Sequence, residues 1–493
     1  MPLPTSPRHD LTSLEPVPQL LARVKAELGA SFVAGKPLRV SRAPGRLDVM
    51  GGIADYTGSL VCEATLDRAA AVALQARDDR QVQVFSFNLF DEHKPFTAVV
   101  PLDALTRSMD KLRHEFAQDG RRWSGYLAGC LAILHDEKLL DLNNPAIKGV
   151  NIALYSTVPL GAGVSSSAAI EVATMMNLLD HYAEFLTPHG RTIDPMLVAA
   201  ICQRVENHVV GAPCGIMDQA ASCAGEAGGL MRMLCQPHEL EGPLFLPAGV
   251  RAIGINSNVK HSVGGGQYGK TRCAAFMGHK IILDTMKKMG ATAGREMIAD
   301  PMHGYLANLP LDDYKKYFRN SLPETMKGGQ FLLAHGSSID KATTVEPDTI
   351  YHVQSATDHH VFEAHRVREF VRYLEEARNL STGPQRKLLL DKAGHLMYAS
   401  HISYTRDARL GADECDLLVD LARQRESAGI YGAKITGGGS GGTVAVLCDE
   451  GDRVDAAIRE IMSEYQTKTG LKPDAFLASS PGAWAAGTTL ITS

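Results

Sequence analysis

Glycines and serines are concentrated in one short stretch of the chain, PLGAGVSSS, residues 159–167, which we call the serine turn. Its glycines allow the backbone to turn tightly and to approach a ligand closely. A run of good helix formers, AAIEVATMMNLLDHYAEFL, follows at once. The first N–H groups of a helix have no partner within the helix and lie at the positive end of its dipole. The pattern therefore predicts a binding site for an anion such as a phosphate group.

The serine turn by itself supports two interpretations. It fits a phosphate site, and it also fits an ordinary turn between a strand and a helix that a serine caps. It is not a Walker A loop, because no Gly-Lys-Ser or Gly-Lys-Thr follows the glycines. Other motifs have to decide between the two interpretations.

A second glycine-rich stretch, TGGGSGG, occupies residues 436–442, and we call it the glycine turn. Its spacing satisfies the GxGxxG pattern, but a dinucleotide-binding fold requires a helix next and an acidic residue about 20 positions later. Here the strand pattern TVAVL follows, so we reject the dinucleotide interpretation. Either the chain makes a sharp hairpin, or a ligand or another loop lies against bare backbone.

Charged residues mark a third stretch, RAPGRLDVMGGIADYTGSL, residues 42–60, which reads as a strand leading into a glycine-rich loop. Asp48 and Asp55 can each accept hydrogen bonds from the hydroxyl groups of a polyhydroxylated ligand. Arg46 can stabilise the charge on a phosphoryl group during its transfer. Considered alone, the stretch also fits a surface loop with a structural Arg–Asp pair.

The hydrophobic pattern indicates which elements hold these stretches in place. The strand pattern GVNIALYSTVP leads into the serine turn, and a further helix is predicted over residues 194–208. Segment 290–350 has no regular pattern, and we interpret it as an elaboration between core helices. The long helices of the second half are predicted over residues 269–289, 361–377 and 384–400.

A chain of 493 residues is too long for one ordinary core, so two domains are expected. Residues 1–35 form an N-terminal extension, with a flexible lead and an amphipathic helix over residues 18–28. The N-terminal domain is expected over residues 36–247 and the C-terminal domain over residues 248–493.

Composition and charge exclude several classes of function. The net charge of −5 and the even spread of lysine and arginine argue against a nucleic-acid partner. No stretch reaches the ~20 apolar residues needed to cross a bilayer, and the N-terminus lacks the apolar region of a secretory signal. The nine cysteines have no zinc-binding spacing. We expect a soluble, monomeric, cytoplasmic protein with reduced cysteines and no membrane partner.

Together and in this order, the motifs resemble those of the GHMP kinase family, specifically its galactokinase branch. The resemblance spans roughly residues 38–480 and implies an α+β protein with the two-domain GHMP kinase fold. Its N-terminal domain would be ribosomal-S5-like, and its C-terminal domain a ferredoxin-like α/β sandwich with helical elaborations. It also implies that the protein phosphorylates a small sugar at the anomeric hydroxyl, using ATP and Mg²⁺. Further matching segments are CQRVENHVVGAPCGIMDQ (202–219), INSNVKHSVGGGQYGKTR (255–272) and LMYASHISYTRD (396–407).

The resemblance implies roles for individual residues. Asp218 would take the proton from the anomeric hydroxyl or orient that hydroxyl, and Arg46 beside it would stabilise the transition state. Ser167 and Glu206 match the positions that hold Mg²⁺. The positions matched to ATP are Pro159, Gly161, Ala162, Gly163, Val164, Ser165, Ser166, Ser167, Gly438 and Gly439. The positions matched to the sugar are Asp55, Gly215 and Tyr268, together with Asp48, Gly52 and Ile53.

One pair of residues departs from the galactokinase signature, Gly-Arg-x-Asn-Leu-Ile-Gly-Glu-His-x-Asp-Tyr. The Glu-His pair, which in galactokinases faces the C6 hydroxyl of the sugar, is Gly52-Ile53 here. A buried hydroxyl without a partner costs about 1–3 kcal/mol. L-Arabinose matches galactose at C1 to C4 and lacks the C6 group, so we expect L-arabinose as the sugar. Residues 45–60 and 304–336 are also similar to the kinase domain of plant L-arabinokinases.

Other functions remain open at this point. The alternatives within the branch are a galactokinase and a kinase acting broadly on sugars at the anomeric position. A mevalonate or homoserine kinase is disfavoured by Asp55-Tyr56 and by the GIMDQ motif. From another class, a catalytically silent sugar sensor is disfavoured because Asp218, Arg46 and Ser167 are all present.

Overall fold

The structure is a computed structural model that describes residues 10–118, 120–212, 214–259, 266–292 and 300–492. The strands are β1 (Leu38–Met50), β2 (Leu60–Ala76), β3 (Gln81–Ser86), β4 (Thr97–Pro101), β5 (Val150–Ser156), β6 (Gly229–Leu234), β7 (Glu239–Phe245), β8 (Val250–Asn256), β9 (Met326–Lys327), β10 (Ile350–Tyr351), β11 (Ile430–Ile435), β12 (Thr443–Asp449), β13 (Asp474–Phe476) and β14 (Thr488–Ile491). The α-helices are α1 (Val17–Glu27), α2 (Phe87–Asp91), α3 (Met109–Phe116), α4 (Arg122–Asp136), α5 (Ser166–His181), α6 (Pro195–Arg204), α7 (Met217–Ala224), α8 (Gly266–Thr292), α9 (Leu311–Asp313), α10 (Gly328–His335), α11 (Val353–Arg378), α12 (Pro384–Arg406), α13 (Asp413–Arg423), α14 (Asp452–Thr469) and α15 (Ala483–Ala486).

The larger sheet has the strand order β14-β1-β2-β5-β3-β4, and β6 and β7 extend it from β2. Side chains alternate across β2, so Val72 and Leu74 face the main core while Ala71 and Ala73 face the other side. Helix α5 packs on the first face, against β1 and β2. Helix α1 covers the second face with apolar side chains, among them Leu20. The predicted helix of the N-terminal extension is therefore part of the core, while residues 1–9 lie outside the described residues.

The smaller sheet has the strand order β11-β12-β8-β13 and is antiparallel throughout. Helices intervene between β8 and β11 and between β12 and β13, which gives the β-α-β-β-α-β arrangement of a ferredoxin-like sandwich. One face of β12 contributes Ala445 and Leu447 to the main core. Its other face packs with α13 and α14 in a second cluster, so the two sheets share a continuous apolar interior.

Segment 290–350 builds a third apolar cluster from short helices, with the described residues Leu306, Tyr314 and Phe331 fully buried in it. These side chains pack against α8 and α11. The segment gave no regular pattern because its helices are three to eight residues long, too short to show a helical repeat.

Two features differ from the sequence prediction. The last strand, β14, returns to the larger sheet and pairs with β1, with Ser41 opposite Thr488. It covers the otherwise open edge of β1, so residues 248–493 do not all belong to the C-terminal sheet. In addition, β1 continues through Pro44 and Gly45 to Met50, where the sequence indicated a loop. The pairing of β1 with β2 shifts register after Pro44 and after Asp48, and these two shifts allow the strand to continue past the proline and the glycine.

Candidate active site

A cavity of about 160 Å³ lies where the serine turn, the glycine turn and the N-terminus of α7 meet. One wall is a 3₁₀ helix, Gly52–Thr57, which we call the signature helix. Larger open clefts of about 770 and 680 Å³ lie elsewhere in the described residues, but no residue predicted from the sequence lines them. The cavity is lined by Arg46, Gly52, Ile53, Asp55, Gly161, Gly163, Val164, Ser165, Ser166, Ser167, Glu206, Cys214, Gly215, Met217, Asp218, Tyr268, Gly437 and Gly438.

The serine turn has the geometry of an anion site. Helix α5 begins at Ser166, and Ser165 precedes it in a left-handed conformation, φ 59° and ψ 49°. No side chain caps the first N–H groups of α5. The buried Oγ of Ser165 also has no hydrogen-bond partner among the described residues. Such strain and such uncapped donors at a cavity wall are typical of a site completed by an anionic ligand.

Arg46 and Asp218 form an ion pair at the centre of the cavity. Arg46 Nε donates to Asp218 Oδ1 at 2.9 Å, and its Nη2 lies 2.8 Å from the same oxygen. Arg46 Nη1 donates to the carbonyl of Gly163 in the serine turn at 2.6 Å. Asp218 lies in the first turn of α7, and its side chain keeps 26% of its surface exposed. The aspartate is thus held by the arginine and still accessible from the cavity.

A second carboxyl group lies behind Arg46, on β2. Glu63 Oε2 is 3.4 Å from Arg46 Nε, and Glu63 is fully buried. Burial, followed by the nearby charge of Asp48, raises the pKa of Glu63 well above its usual range. Burial alone would lower the pKa of Arg46, but the carboxylates of Asp218, Glu63 and Asp48 outweigh it and raise that pKa. Arg46 therefore remains positively charged beside Asp218.

Ser167 and Glu206 meet on the wall beside the serine turn. Glu206 comes from a π-helical turn, Val205–Val210, that follows α6, a distortion that is common at functional sites. Its carboxylate is hydrogen-bonded to the hydroxyl of Ser167 and accepts a 2.9 Å hydrogen bond from Gln219 Nε2. Burial, with a further contribution from Asp218, raises the pKa of Glu206 to about 7.

A hydroxyl and a carboxylate oxygen suit Mg²⁺, which keeps several waters and takes further oxygens from substrate phosphates. Among the residues that the structure describes, no group of three or more His, Cys, Asp or Glu side chains could hold a metal ion alone. Ser167 and Glu206 therefore fit a cation that arrives with a phosphorylated substrate.

Asp55 lies in the signature helix and lines the cavity together with Gly215 and Tyr268. Its Oδ1 accepts a 2.6 Å hydrogen bond from the Tyr56 N–H. Burial raises the pKa of Asp55 to about 7, against the opposing charge of Arg272. The three predicted sugar positions are thus brought together by elements from both domains.

An aromatic and charged network supports this wall, and no local sequence pattern marks the contacts of Arg272 and Asp340 within it. The guanidinium of Arg272 lies 4.7 Å from the centroid of the Tyr56 ring and forms two hydrogen bonds of 2.8 and 2.9 Å with Asp340. The Tyr56 ring meets the Tyr268 ring edge-on at 6.2 Å. These contacts hold the end of the signature helix against α8.

Asp48 does not reach the cavity, which corrects its predicted contact with the sugar. It is fully buried, and its Oδ2 accepts from Lys434 Nζ at 2.6 Å and from the Gly437 N–H at 3.1 Å. Its Oδ1 accepts from the Gly52 N–H at 3.0 Å. Because both oxygens are occupied, Asp48 anchors the signature helix to the glycine turn.

The glycine turn contributes Gly437 and Gly438 to the cavity, where the sequence predicted Gly438 and Gly439. A Cβ on Gly437, which has φ 61°, would lie 2.9 Å from Arg46 Nη2 and 3.0 Å from the Gly163 carbonyl. Both interpretations of this turn are therefore confirmed, because it closes the antiparallel hairpin of β11 and β12 and the serine turn lies against its bare backbone. Gly439 instead packs against Leu410, whose carbonyl would lie 2.4 Å from an added Cβ.

Pro159 and Ala162 of the serine turn do not line the cavity either. The Ala162 carbonyl accepts a 2.8 Å hydrogen bond from Thr443 Oγ1 at the start of β12. This contact docks the serine turn on the C-terminal sheet, so the role of Ala162 is to hold the turn in place.

Tyr404 of α12 contacts the signature helix from behind, and it lies in the matching segment 396–407, where no role was predicted for it. Its hydroxyl accepts a 3.0 Å hydrogen bond from the Ile53 N–H and donates a 2.9 Å hydrogen bond to the Gly437 carbonyl. Tyr404 and Lys434 lie more than 350 positions after Ile53 and Asp48, respectively, and no local pattern marks these two contacts.

Comparison with known proteins identifies the family. Residues 126–226 match the model "GHMP kinases N terminal domain", residues 386–467 match "GHMP kinases C terminal", and residues 30–76 match "Galactokinase galactose-binding signature". The galactokinase of Chloroflexus aurantiacus is 30% identical, over 88% of this chain and 90% of its own length. The chain therefore belongs to the GHMP kinase family.

Two further matches refine its position in that family. The L-arabinokinase of Arabidopsis thaliana is 35% identical over 94% of this chain, which spans 47% of that protein's length. The galactokinase of Lactococcus lactis, solved with galactose, has the same fold, with a TM-score of 0.69 and 20% identity over 95% of this chain and 99% of its own. The protein is a sugar kinase of the galactokinase branch, and the predicted fold class is confirmed. In the part of the chain that is described, no helix is long and apolar enough to cross a membrane.

Proposed function

We propose that the protein transfers the γ-phosphoryl group of ATP to the anomeric hydroxyl of L-arabinose, yielding L-arabinose 1-phosphate and ADP. The observation that carries the choice of sugar is the apolar end of the cavity at Gly52 and Ile53. Ile53 lines the cavity and belongs to a buried apolar cluster, and residue 52 has no side chain. A C6 hydroxyl placed there would lack a side-chain partner, at a cost of about 1–3 kcal/mol. L-Arabinose has no C6 group and avoids this cost.

The arrangement of Asp218 and Arg46 supports the transfer step. The anomeric oxygen of the sugar attacks the γ-phosphorus, and Asp218 accepts the proton that this oxygen loses. The bond between the γ-phosphorus and ADP breaks at the same time. The guanidinium of Arg46 stabilises Asp218 in its ionised form and the charge that develops on the transferring group. The serine turn binds the phosphates through its backbone N–H groups and hydroxyls. Ser167 and Glu206 would hold Mg²⁺, which neutralises phosphate charge when bound.

D-Galactose is the second candidate, because the galactose-binding signature matches residues 30–76 and galactokinases are 27–30% identical to this chain. A silent sugar sensor is disfavoured, since the ion pair between Arg46 and Asp218 is assembled at 2.9 Å. A monomeric state and a cytoplasmic location stay predictions.

Steady-state kinetics with a panel of sugars tests the proposal, with ADP release as the readout. We expect kcat/KM for L-arabinose to exceed that for D-galactose by about tenfold or more. A value for D-galactose that is tenfold higher would overturn the choice of sugar. The Asp218→Asn variant, measured in parallel, shows which part of the ADP release comes from this site.

A further inference from the structure

Tyr404 is held rigidly behind the signature helix. It is fully buried, and its ring meets the His359 ring edge-on, with 4.9 Å between centroids. The Lys434 ammonium lies 5.2 Å from the centroid of the Tyr404 ring. The two hydrogen bonds of the hydroxyl, with the Ile53 N–H and the Gly437 carbonyl, fix its position between the two domains.

The Tyr404 hydroxyl occupies the volume that a side chain at position 52 would need. A Cβ added to Gly52 would lie 1.7 Å from the Tyr404 oxygen and 2.9 Å from both Asp48 Oδ2 and the Tyr404 ring carbon Cζ. Gly52 also has φ 47°, a left-handed conformation that favours glycine. While the hydroxyl is present, position 52 has no room for a side chain, polar or apolar.

The same hydroxyl also holds a second polar group, the Ile53 N–H, away from the cavity. The Ile53 N–H points at Tyr404 and already donates a 3.0 Å hydrogen bond to its hydroxyl oxygen. A sugar hydroxyl here would therefore find neither a side chain at position 52 nor a free N–H at position 53. What remains for it to meet is the apolar side chain of Ile53, which lines the cavity.

We propose that Tyr404 is the residue that determines sugar specificity, because its hydroxyl keeps this end of the cavity apolar and suited to a pentose. This rests on the proposed function, since it explains why a C6 hydroxyl is not accommodated. Tyr404 does not line the cavity. It is a positioning residue that acts through Gly52 and Ile53.

The first test is the Tyr404→Phe variant, which keeps the ring and removes the hydroxyl. We expect the ratio of kcat/KM for L-arabinose to that for D-galactose to fall by about tenfold, because the signature helix is released from Tyr404 and can turn the Ile53 N–H towards a C6 hydroxyl. A purely structural role would lower both values by the same factor and leave the ratio unchanged. Tyr398→Phe is the matched control, since Tyr398 is buried on the same helix away from the cavity. Its ratio should stay within about twofold of wild type.

The second test is a double-mutant cycle at position 52. Gly52→Ala alone should lose most turnover of L-arabinose, because its Cβ meets the Tyr404 hydroxyl. The double variant Gly52→Ala/Tyr404→Phe should recover about tenfold of that turnover, because the 1.7 Å contact is removed while the 2.9 Å contact with the ring carbon stays. Tyr404→Met also lacks the hydroxyl. The sugar ratio and the recovery of Gly52→Ala turnover can therefore both be measured again with methionine at position 404.

An unchanged sugar ratio in the Tyr404 variants would overturn the inference, and so would a double variant no more active than Gly52→Ala. Both readouts are changes relative to the wild type. A wild-type preference for D-galactose would therefore refute the proposed function and still leave the role of Tyr404 to be decided by these variants.

Discussion

The serine turn and the signature helix lie on the same cavity, but they are held in place differently. The serine turn is flanked by contiguous elements, with β5 before it and α5 after it. Its donors are backbone N–H groups and hydroxyls within a few residues of one another. The signature helix depends on side chains from the other end of the chain, Lys434 through Asp48 and Tyr404 through Ile53.

The difference shows how the two substrates are recognised. Under the proposed function, the groups that bind phosphate are backbone N–H groups and hydroxyls of one short turn, although Thr443 and Arg46 also hold that turn. The groups that would bind the sugar depend on tertiary contacts that decide which of them reach the cavity. Variants in the two regions should therefore affect the two substrates separately, except where Arg46 connects them through Gly163 and Asp218.

The largest effect is expected at that connection. Asp218→Asn should lower kcat by about 10²–10⁴-fold for every sugar tested, because the group that accepts the proton is lost. The unfolding temperature should change little, since the asparagine can still accept a hydrogen bond from Arg46. Turnover near the wild-type value, measured by ADP release, would refute the role of Asp218.

The next largest effect is expected from Lys434→Met, which breaks the buried pair behind the signature helix. The Asp48 carboxylate would be left buried without its counter-charge, at a cost of about 3–5 kcal/mol in the free energy of unfolding. Urea unfolding measures this. Lys387→Met is the matched control, because Lys387 pairs with Asp391 on the surface of α12 at 2.7 Å and is 61% exposed. Its cost should stay below about 1 kcal/mol. Equal costs for the two variants would contradict the tertiary anchoring of the signature helix.

A smaller effect separates the two substrates directly. Ser167→Ala should raise KM for Mg-ATP by about tenfold and leave KM for the sugar unchanged, because a ligand of the cation is lost. Asp55→Asn should do the reverse, since a carboxylate that accepts sugar hydroxyl hydrogen bonds becomes an amide. Steady-state kinetics in which each substrate is varied at saturation of the other gives both constants. Equal changes in KM for Mg-ATP and for the sugar, in either variant, would contradict the separation of the two binding regions.

The smallest effect is expected from pH. Burial raises the pKa of Asp55 to about 7, so the carboxylate is mostly ionised at pH 8 and mostly protonated at pH 6. Only the ionised form accepts on both oxygens, so kcat/KM for the sugar should fall severalfold as pH is lowered through 7. Saturating Mg-ATP keeps Glu206, whose pKa is also raised to about 7, from contributing. The acid limb should disappear in Asp55→Asn, and a flat wild-type profile would count against a sugar contact by ionised Asp55.

Local features of the fold and the site could be predicted from the sequence. The serine turn, the helices on either side of segment 290–350 and the strand after the glycine turn all depend on neighbouring residues. Arg46, Asp218, Ser167 and Glu206 were identified through a family resemblance, and the structure brings them together. The assignment of their chemical roles stays a prediction.

The remainder depends on contacts between distant residues. Asp48 has the residue type of a sugar ligand, but its pairing with Lys434 cannot be seen from the sequence around either residue. The return of β14 to β1 is set by an open sheet edge more than 430 residues earlier. Within the glycine turn, Gly437 lies against Arg46 at the cavity and Gly439 lies against Leu410, and neither contact can be seen from the neighbouring sequence.

The most direct test of the choice of sugar is a competition in one vessel. Wild-type protein receives equal concentrations of L-arabinose and D-galactose with limiting ATP, and mass spectrometry measures the pentose and hexose phosphates formed. The product ratio equals the ratio of the two kcat/KM values. An apolar end of the cavity at Gly52 and Ile53 predicts at least about ten pentose phosphates for each hexose phosphate. A product that is mainly hexose phosphate would contradict it.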